Sequence, residues 1–295
     1  MKFGVLSCFP PSLCALLLCA SGCVNIMVSE SSRTYADKAA ASAATSASTP
    51  AAPTQETDSL AHWREVKADE NRYVIAVALG DSNTEVNWTS RGHLNWVGLL
   101  DAGMFEGGFA TRHRVVYAGK SADTATHALE RLDRDVISLH PDLVIIGFGT
   151  NDANANTPEE AEASLRTLIR RIRESCGCSI LLRTPQPNFA EHPPKEGEPD
   201  VWPPQPKMDV MAEVIRRVAR EEKVELVDHY ALWTAPNQPY SPSYYRYNNL
   251  HPNEFGHRRL YAEIAPVLGL PAVFRWEKET APPPPSQPPQ PKSQE

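Results

Sequence analysis

The sequence lacks the marks of several large protein classes. It has no cluster of basic residues: 29 Lys and Arg stand against 36 Asp and Glu, a formal net charge of -7. Neutralising a phosphate backbone needs a clustered basic face, so nucleic acid is not expected as a partner. No His, Asp, Glu or Cys group has the spacing of metal ligands, and no metal site is expected. Gly147-Phe148-Gly149 lacks the third glycine of a dinucleotide loop, so no cofactor is expected either. Cysteine is scarce where a fold would use it, since Cys8, Cys14 and Cys19 fall in the first 22 residues and only Cys23, Cys176 and Cys178 follow. That excludes a disulfide-built scaffold. Long apolar runs are missing too: the one near the start is interrupted by Pro10 and Pro11 and is too short to span a membrane. What remains, 41% hydrophobic and 22% charged, is the composition of a chain with a full-sized core.

Residues 1–22 carry one charge, Lys2, then an apolar stretch and small residues. This reads as a secretory signal. Ala20-Ser21-Gly22-Cys23 resembles a bacterial lipobox, in which cleavage precedes a cysteine that is then acylated. Ala20 stands where leucine is usual, and ordinary secretion is the plainer alternative. Lipidation at Cys23 would place the protein in the cell envelope, at the outer membrane or facing the periplasm, with a lipid anchor as its membrane contact. Residues 23–65 are rich in Ala, Ser and Thr and bury too little apolar surface to offset their ordering entropy, so they are expected to be a flexible tether. Fifteen of the 27 prolines fall in residues 184–206, which read as a lid or binding loop, and in 279–295, which read as a disordered tail. Cys176-Gly177-Cys178 reads as two structural thiols, because a bridge across one residue closes a strained ring.

Residues 70–278 form one domain by size. Short, nearly uninterrupted β-rich runs at 73–79, 115–118, 143–148, 180–182 and 224–227 predict strands buried on both faces, as in a parallel sheet. Between them lie helical stripes: Ala125, Leu129, Leu132, Val136 and Leu139; Ala161, Leu165, Leu168, Ile169 and Ile172; Met211, Val214, Ile215 and Val218; and Leu260, Tyr261, Ile264 and Leu268. Thr157-Pro158-Glu159-Glu160 has the cap, proline and glutamate of a capping box. Alternating strands and helices predict an α/β fold, a sheet covered on both sides. Ligands of such sheets bind beyond the carboxyl ends of the strands.

Those ends carry chemistry. The first strand runs into Gly80-Asp81-Ser82-Asn83, the third into Gly149-Thr150-Asn151-Asp152, and Asn248-Asn249-Leu250-His251-Pro252-Asn253 precedes the last helix. A serine at a strand-to-helix turn is exposed near amides that could hold an anionic intermediate, and it needs a base, for which imidazole is suited near neutral pH. The ordered set resembles the SGNH hydrolases, or GDSL esterases, across nearly the whole folded domain. The resemblance implies a flavodoxin-like three-layer α/β/α sandwich with a central parallel sheet. It implies Ser82 as nucleophile, His251 as base and then acid, and an oxyanion hole from the Ser82 and Ala122 N–H groups and the Asn151 side chain.

Two positions depart from the family pattern. Ala122 replaces a glycine, and its N–H serves only where the backbone angles suit a residue with a Cβ. Asn248 replaces the aspartate three residues before the histidine, and an amide can orient the ring without stabilising its positive form. Three arrangements follow: an Asn248-oriented triad, a Ser-His dyad leaning on a backbone carbonyl, or a carboxylate from Glu254, Asp228, Glu191 or Asp200.

Plainer readings stand beside these. Asp81 is expected to brace the turn, His257 to be solvated, Ser121 to be a decoy, and Asn87-Trp88-Thr89 to be an idle sequon. Phe189, Trp202, Tyr240, Tyr244, Tyr245 and Tyr247 could stack on sugar faces, line an acyl slot or pack their loops. The expected function is an envelope-anchored serine ester hydrolase removing short acyl groups, acetyl above all, from carbohydrate or other small esters. The alternative is a catalytically silent ester- or glycan-binding lipoprotein that retains the fold.

Overall fold

The structure is a computed structural model that describes residues 58–87, 89, 94–188, 206–236 and 242–273, all within one compact unit, Glu56–Glu295. The leader, Cys23, most of the tether, the tail, and Phe189, Glu191, Asp200, Trp202 and Tyr240 lie outside the described residues.

Five strands, β1 (Val74–Gly80), β2 (His113–Gly119), β3 (Leu143–Gly147), β4 (Ser179–Arg183) and β5 (Glu225–Val227), pair in parallel in the order β2-β1-β3-β4-β5. The residues that form them are the apolar runs named above, with ends shifted by one or two positions. Successive side chains of a strand face opposite sides, and the core divides accordingly. Val77, Leu79, Val144 and Ile146 meet one set of helices, α3 (Ala125–Asp135), α5 (Pro158–Cys176) and α6 (Pro206–Glu222). Ala76, Ala78, Leu143 and Ile145 meet the other, α1 (Ala61–Ala68), α2 (Trp96–Met104) and α8 (Glu254–Ile264). The short helices α4 (Asp152–Ala155) and α7 (His229–Thr234) follow β3 and β5. The result is a three-layer α/β/α sandwich. Thr157 and Glu160 form the expected reciprocal cap of α5, and Gly177 ends it in the left-handed conformation.

The fold begins earlier than its sequence suggests. Leu60, Trp63 and Val66 are buried, and the Trp63 indole N–H donates to the Leu268 carbonyl at 2.9 Å, so α1 belongs to the core although residues up to 65 read as tether. His257 is a second correction: it lies on the buried face of α8, and its Nδ1 faces the Trp96 N–H at 3.4 Å, instead of being solvated. The stripe through Leu139 is broken after Asp135, where a short 3-10 turn, Ile137–Leu139, leads to left-handed His140 ahead of Pro141.

The chain reverses direction across the sheet between β1 and β3, the position at which doubly wound sheets hold ligands beyond their carboxyl ends. Ser82 follows β1 and Asn151 follows β3.

Candidate active site

Three glycines sit side by side at those carboxyl ends, Gly80 pairing with Gly119 on one side and Gly147 on the other. A Cβ at Gly80 would lie 2.3 Å from Thr84 Oγ1, one at Gly119 2.2 Å from the Glu85 nitrogen, and one at Gly147 2.3 Å from Arg183 Nε. The missing side chains let the turn after β1 fold against the sheet and let the Arg183 guanidinium slide beneath it.

That turn is braced on every side. The Asp81 carbonyl accepts the N–H groups of Thr84 and Glu85, both at 3.0 Å, and its carboxylate accepts that of Asn83 at 2.9 Å. The Trp96 indole donates to the Asn83 carbonyl at 3.0 Å, and Asn87 Nδ2 donates to the Ser82 carbonyl at 2.7 Å. Asp81 thus braces the turn as expected, and Asn87 helps to hold Ser82. Arg183 donates to Thr84 Oγ1 at 3.0 Å and lies over the Trp96 ring at 5.0 Å. Burial pushes the Asp81 carboxyl up to about 6 against the opposing pull of Arg183, and burial lowers Arg183 to about 10.

Ser82 Oγ lies 3.0 Å from His251 Nε2. The loop carrying His251 is fixed by Asn253, whose side-chain oxygen caps α8 through Phe255 and Gly256 N–H while its amide donates to the Tyr244 and Arg246 carbonyls at 2.9 and 3.3 Å. On the far side of the ring, Nδ1 lies 3.2 Å from Asn248 Oδ1. The same oxygen accepts the N–H groups of Leu250 and His251 at 2.9 and 2.7 Å. Those two donors fix which way the amide points. An oxygen facing Nδ1 requires the proton there, which leaves the Nε2 lone pair for the serine hydroxyl. Burial lowers the basicity of His251 and so favours its neutral form. Of the other candidate orienters, Asp228 is committed elsewhere: it caps α7, and its carboxylate pairs with Arg216 at 2.6 Å. Glu254 opens α8, and the acceptor at Nδ1 is Asn248 Oδ1.

Ala122 adopts φ +60°, the left-handed conformation that glycine would take there freely. A residue with a Cβ pays about 1 kcal/mol for it, and its N–H keeps the direction that a glycine would give. Ser121 beside it donates to the Glu85 carboxylate and so ties this loop to the turn that carries Ser82. Asn151 Nδ2 donates to the Asp123 carbonyl at 2.8 Å, which uses one of its two protons. Asp152 secures the same corner by accepting the Gly149 and Ala125 N–H groups, both at 3.0 Å. Beneath it, the buried Arg131 donates to the carbonyls of Gly80 at 3.1 Å and Ala118 at 2.9 Å and to Asp123 Oδ2 at 2.8 Å.

Among the described residues, no three His, Cys, Asp or Glu side chains gather as a metal-holding group. Two surface depressions of about 360 Å³, one near Cys178 and one along β2 at Tyr117, lie away from Ser82 and His251. Cys176 and Cys178 are free thiols, and burial pushes Cys178 up to about 12, which keeps it unreactive.

The model of the GDSL-like Lipase/Acylhydrolase family matches residues 78–259, more than half of the chain. The chain belongs to that family. As an acylhydrolase it is an ester hydrolase, and solved structures agree with its fold. An alpha/beta hydrolase enzyme, LAE5, from the metagenome of Lake Arreo in Spain is 26% identical, with 67% of this chain and 96% of that chain covered and a TM-score of 0.55. The lipase/acylhydrolase from Enterococcus faecalis is 24% identical over 68% of this chain and 100% of that chain, with a TM-score of 0.51. Axe2, an acetylxylan esterase from Geobacillus stearothermophilus, is 23% identical over 69% of this chain and 97% of that chain, with a TM-score of 0.56. No curated protein matches the chain.

The acylhydrolase therefore brings Ser82, His251 and Asn248 into one hydrogen-bonded line. Some of its supports were hidden in the sequence. Arg183 carried a signal, since a charge ending an apolar parallel strand points into a strand-end site. Arg131 carried none, because it sits among the polar residues of an amphipathic helix. Tyr244 and Tyr245 pack their own loop: Tyr245 is buried against Trp233 at 5.4 Å, and Tyr244 lies 4.9 Å from Phe255. Tyr247 is half-buried and donates its N–H to the His251 carbonyl at 2.9 Å.

Proposed function

We propose that the protein is a serine esterase of the cell envelope that removes short acyl groups, acetyl above all, from carbohydrate esters. The contact between Ser82 Oγ and His251 Nε2 at 3.0 Å carries this reading. In the reaction, His251 Nε2 takes the Ser82 proton as Oγ attacks the ester carbonyl. The resulting oxyanion is held by the Ser82 and Ala122 N–H groups and by the second proton of Asn151 Nδ2. Collapse releases the alcohol, which receives the proton from His251, and leaves an acyl group on Ser82. Water then removes it with His251 again as base. Asn248 orients the ring throughout.

The choice of acetylated carbohydrate rests on a similarity of fold to proteins named as acetylxylan esterases, including AlAXEase and Axe2. Envelope placement rests on the leader and on Cys23 as its acylated residue, a lipid anchor that would keep the domain beside wall or exported polysaccharide. Against a silent binding protein stand the left-handed backbone of Ala122, which a glycine would share, and the Asn248 oxygen held towards His251. Nitrophenyl esters of increasing acyl length test the proposal. The wild type should hydrolyse the acetate fastest and Ser82→Ala should lose at least about a thousandfold. Equal rates for the two proteins on every ester would overturn it.

A further inference from the structure

The segment leaving β4 crosses the site and carries two buried amides that the chemistry above does not use. Its course is set on both sides. The Pro185 ring lies 3.1 Å from where a Cβ on Gly149 would sit, against the turn that carries Asn151. Gln186 Nε2 donates to the Leu250 carbonyl at 3.3 Å, next to His251. The segment therefore runs between the loop of a proposed oxyanion donor and the loop of the proposed base. Gln186 is 3% exposed and Asn188, two residues on, is 1% exposed. Among the described residues, Gln186 Oε1, Asn188 Oδ1 and Asn188 Nδ2 find no hydrogen-bond partner.

Native proteins rarely leave such groups unpaired, because a buried amide without partners loses its hydration and gains nothing in return. Three atoms within three residues, beside a strand-end site, thus lack a partner among the described residues, and a bound molecule can supply one. Two are acceptors and one is a donor. Hydroxyl groups complement that set, since each donates and accepts. An acyl chain or an aromatic ring would leave all three unpaired. We propose that Gln186 and Asn188 form a subsite for the alcohol part of the ester, and that this alcohol is a polyol such as a sugar ring. The assignment rests on the Ser82–His251 reading for its place in a reaction. It deepens that reading by naming the groups that select the substrate.

The test compares 4-nitrophenyl acetate, whose leaving group offers no hydroxyl donor set, with a monoacetylated methyl xyloside that keeps free hydroxyls. In Asn188→Leu, the ratio of kcat/KM on the sugar ester to that on the nitrophenyl ester should fall at least about tenfold, chiefly through KM. The variant should melt no lower than the wild type, because an apolar side chain of similar size replaces an unpaired amide. Asn188→Ala provides a second, smaller replacement. A ratio within about twofold of the wild type, or equal losses on both esters with a lower melting temperature, would overturn the subsite. Calorimetric binding of the sugar ester to Ser82→Ala, with and without Asn188→Leu, separates the two readings. Asn188-dependent binding by a protein whose wild type hydrolyses neither ester would sink the serine esterase and keep the subsite. Turnover that needs Ser82, with binding indifferent to Asn188, would do the reverse.

Discussion

At Asn248 one oxygen serves three donors: the N–H groups of Leu250 and His251, and the Nδ1 side of the His251 ring at 3.2 Å. An amide that could turn over would offer its NH2 to Nδ1 and reverse the tautomer, leaving Nε2 protonated and unable to act as base. The two backbone donors prevent that. An aspartate would add charge, which stabilises the imidazolium and raises the histidine pKa. His251 in this protein lies below its ordinary 6.5 because of burial, so its base is neutral through that value and is lost only at more acidic pH. Asn248→Asp should therefore raise kcat/KM and move the acid limb of its pH profile upward. Asn248→Ala should lower kcat/KM at least about tenfold. Profiles of the three proteins check this, and identical curves would mean that the ring is oriented by something else. From sequence the motifs singled out Ser82 and His251, which the structure brings together at 3.0 Å, but not which arrangement Asn248 would adopt. That depended on the Leu250 and His251 N–H groups, and backbone donors have no sequence signature.

The elements were the most legible part of the chain, because their signals are periodic. All five strands stand where short β-rich runs predicted them, and the Thr157–Glu160 box opens α5. α1 escaped because only Trp63 and Val66 mark its buried face, a stripe too short to separate from the polar run before it. Its packing is nevertheless that of a core element: Trp63 stacks at 5.4 Å on Phe109 and its N–H groups bond to Ser179 and Leu268. Trp63→Ala should cost about 3 to 5 kcal/mol in urea unfolding. A loss below about 0.5 kcal/mol, typical of a surface position, would return α1 to the tether. His257 was misread at the same scale. Leu260, Tyr261 and Ile264 define the apolar stripe of α8, and Leu268 lies beyond its end; the buried face is wider than that stripe and takes in a histidine that burial, with Arg183 nearby, holds down to about 3.

For the molecule as a whole, the site is built over two buried charged groups, Asp81 and Arg183, and this has a consequence for stability. Asp81 titrates at about 6 in the fold against 3.8 in an unfolded chain. The folded state holds that proton more tightly, so its contribution is present in full below about pH 4 and is lost as the pH rises through about 6, by up to about 3 kcal/mol. Most folded-state carboxylates act in the opposite direction. The unfolding free energy of the wild type relative to Asp81→Asn should therefore fall between about pH 4 and pH 7. A rise would show Asp81 ionised and paired at the lower pH. One serine, Ser82, is expected to be activated, with His251 as its base. Intact and peptide mass spectrometry after reaction with a fluorophosphonate tests this most directly. One adduct is expected, on Ser82, absent in Ser82→Ala and in His251→Ala. No adduct, or one on Ser121, would contradict it.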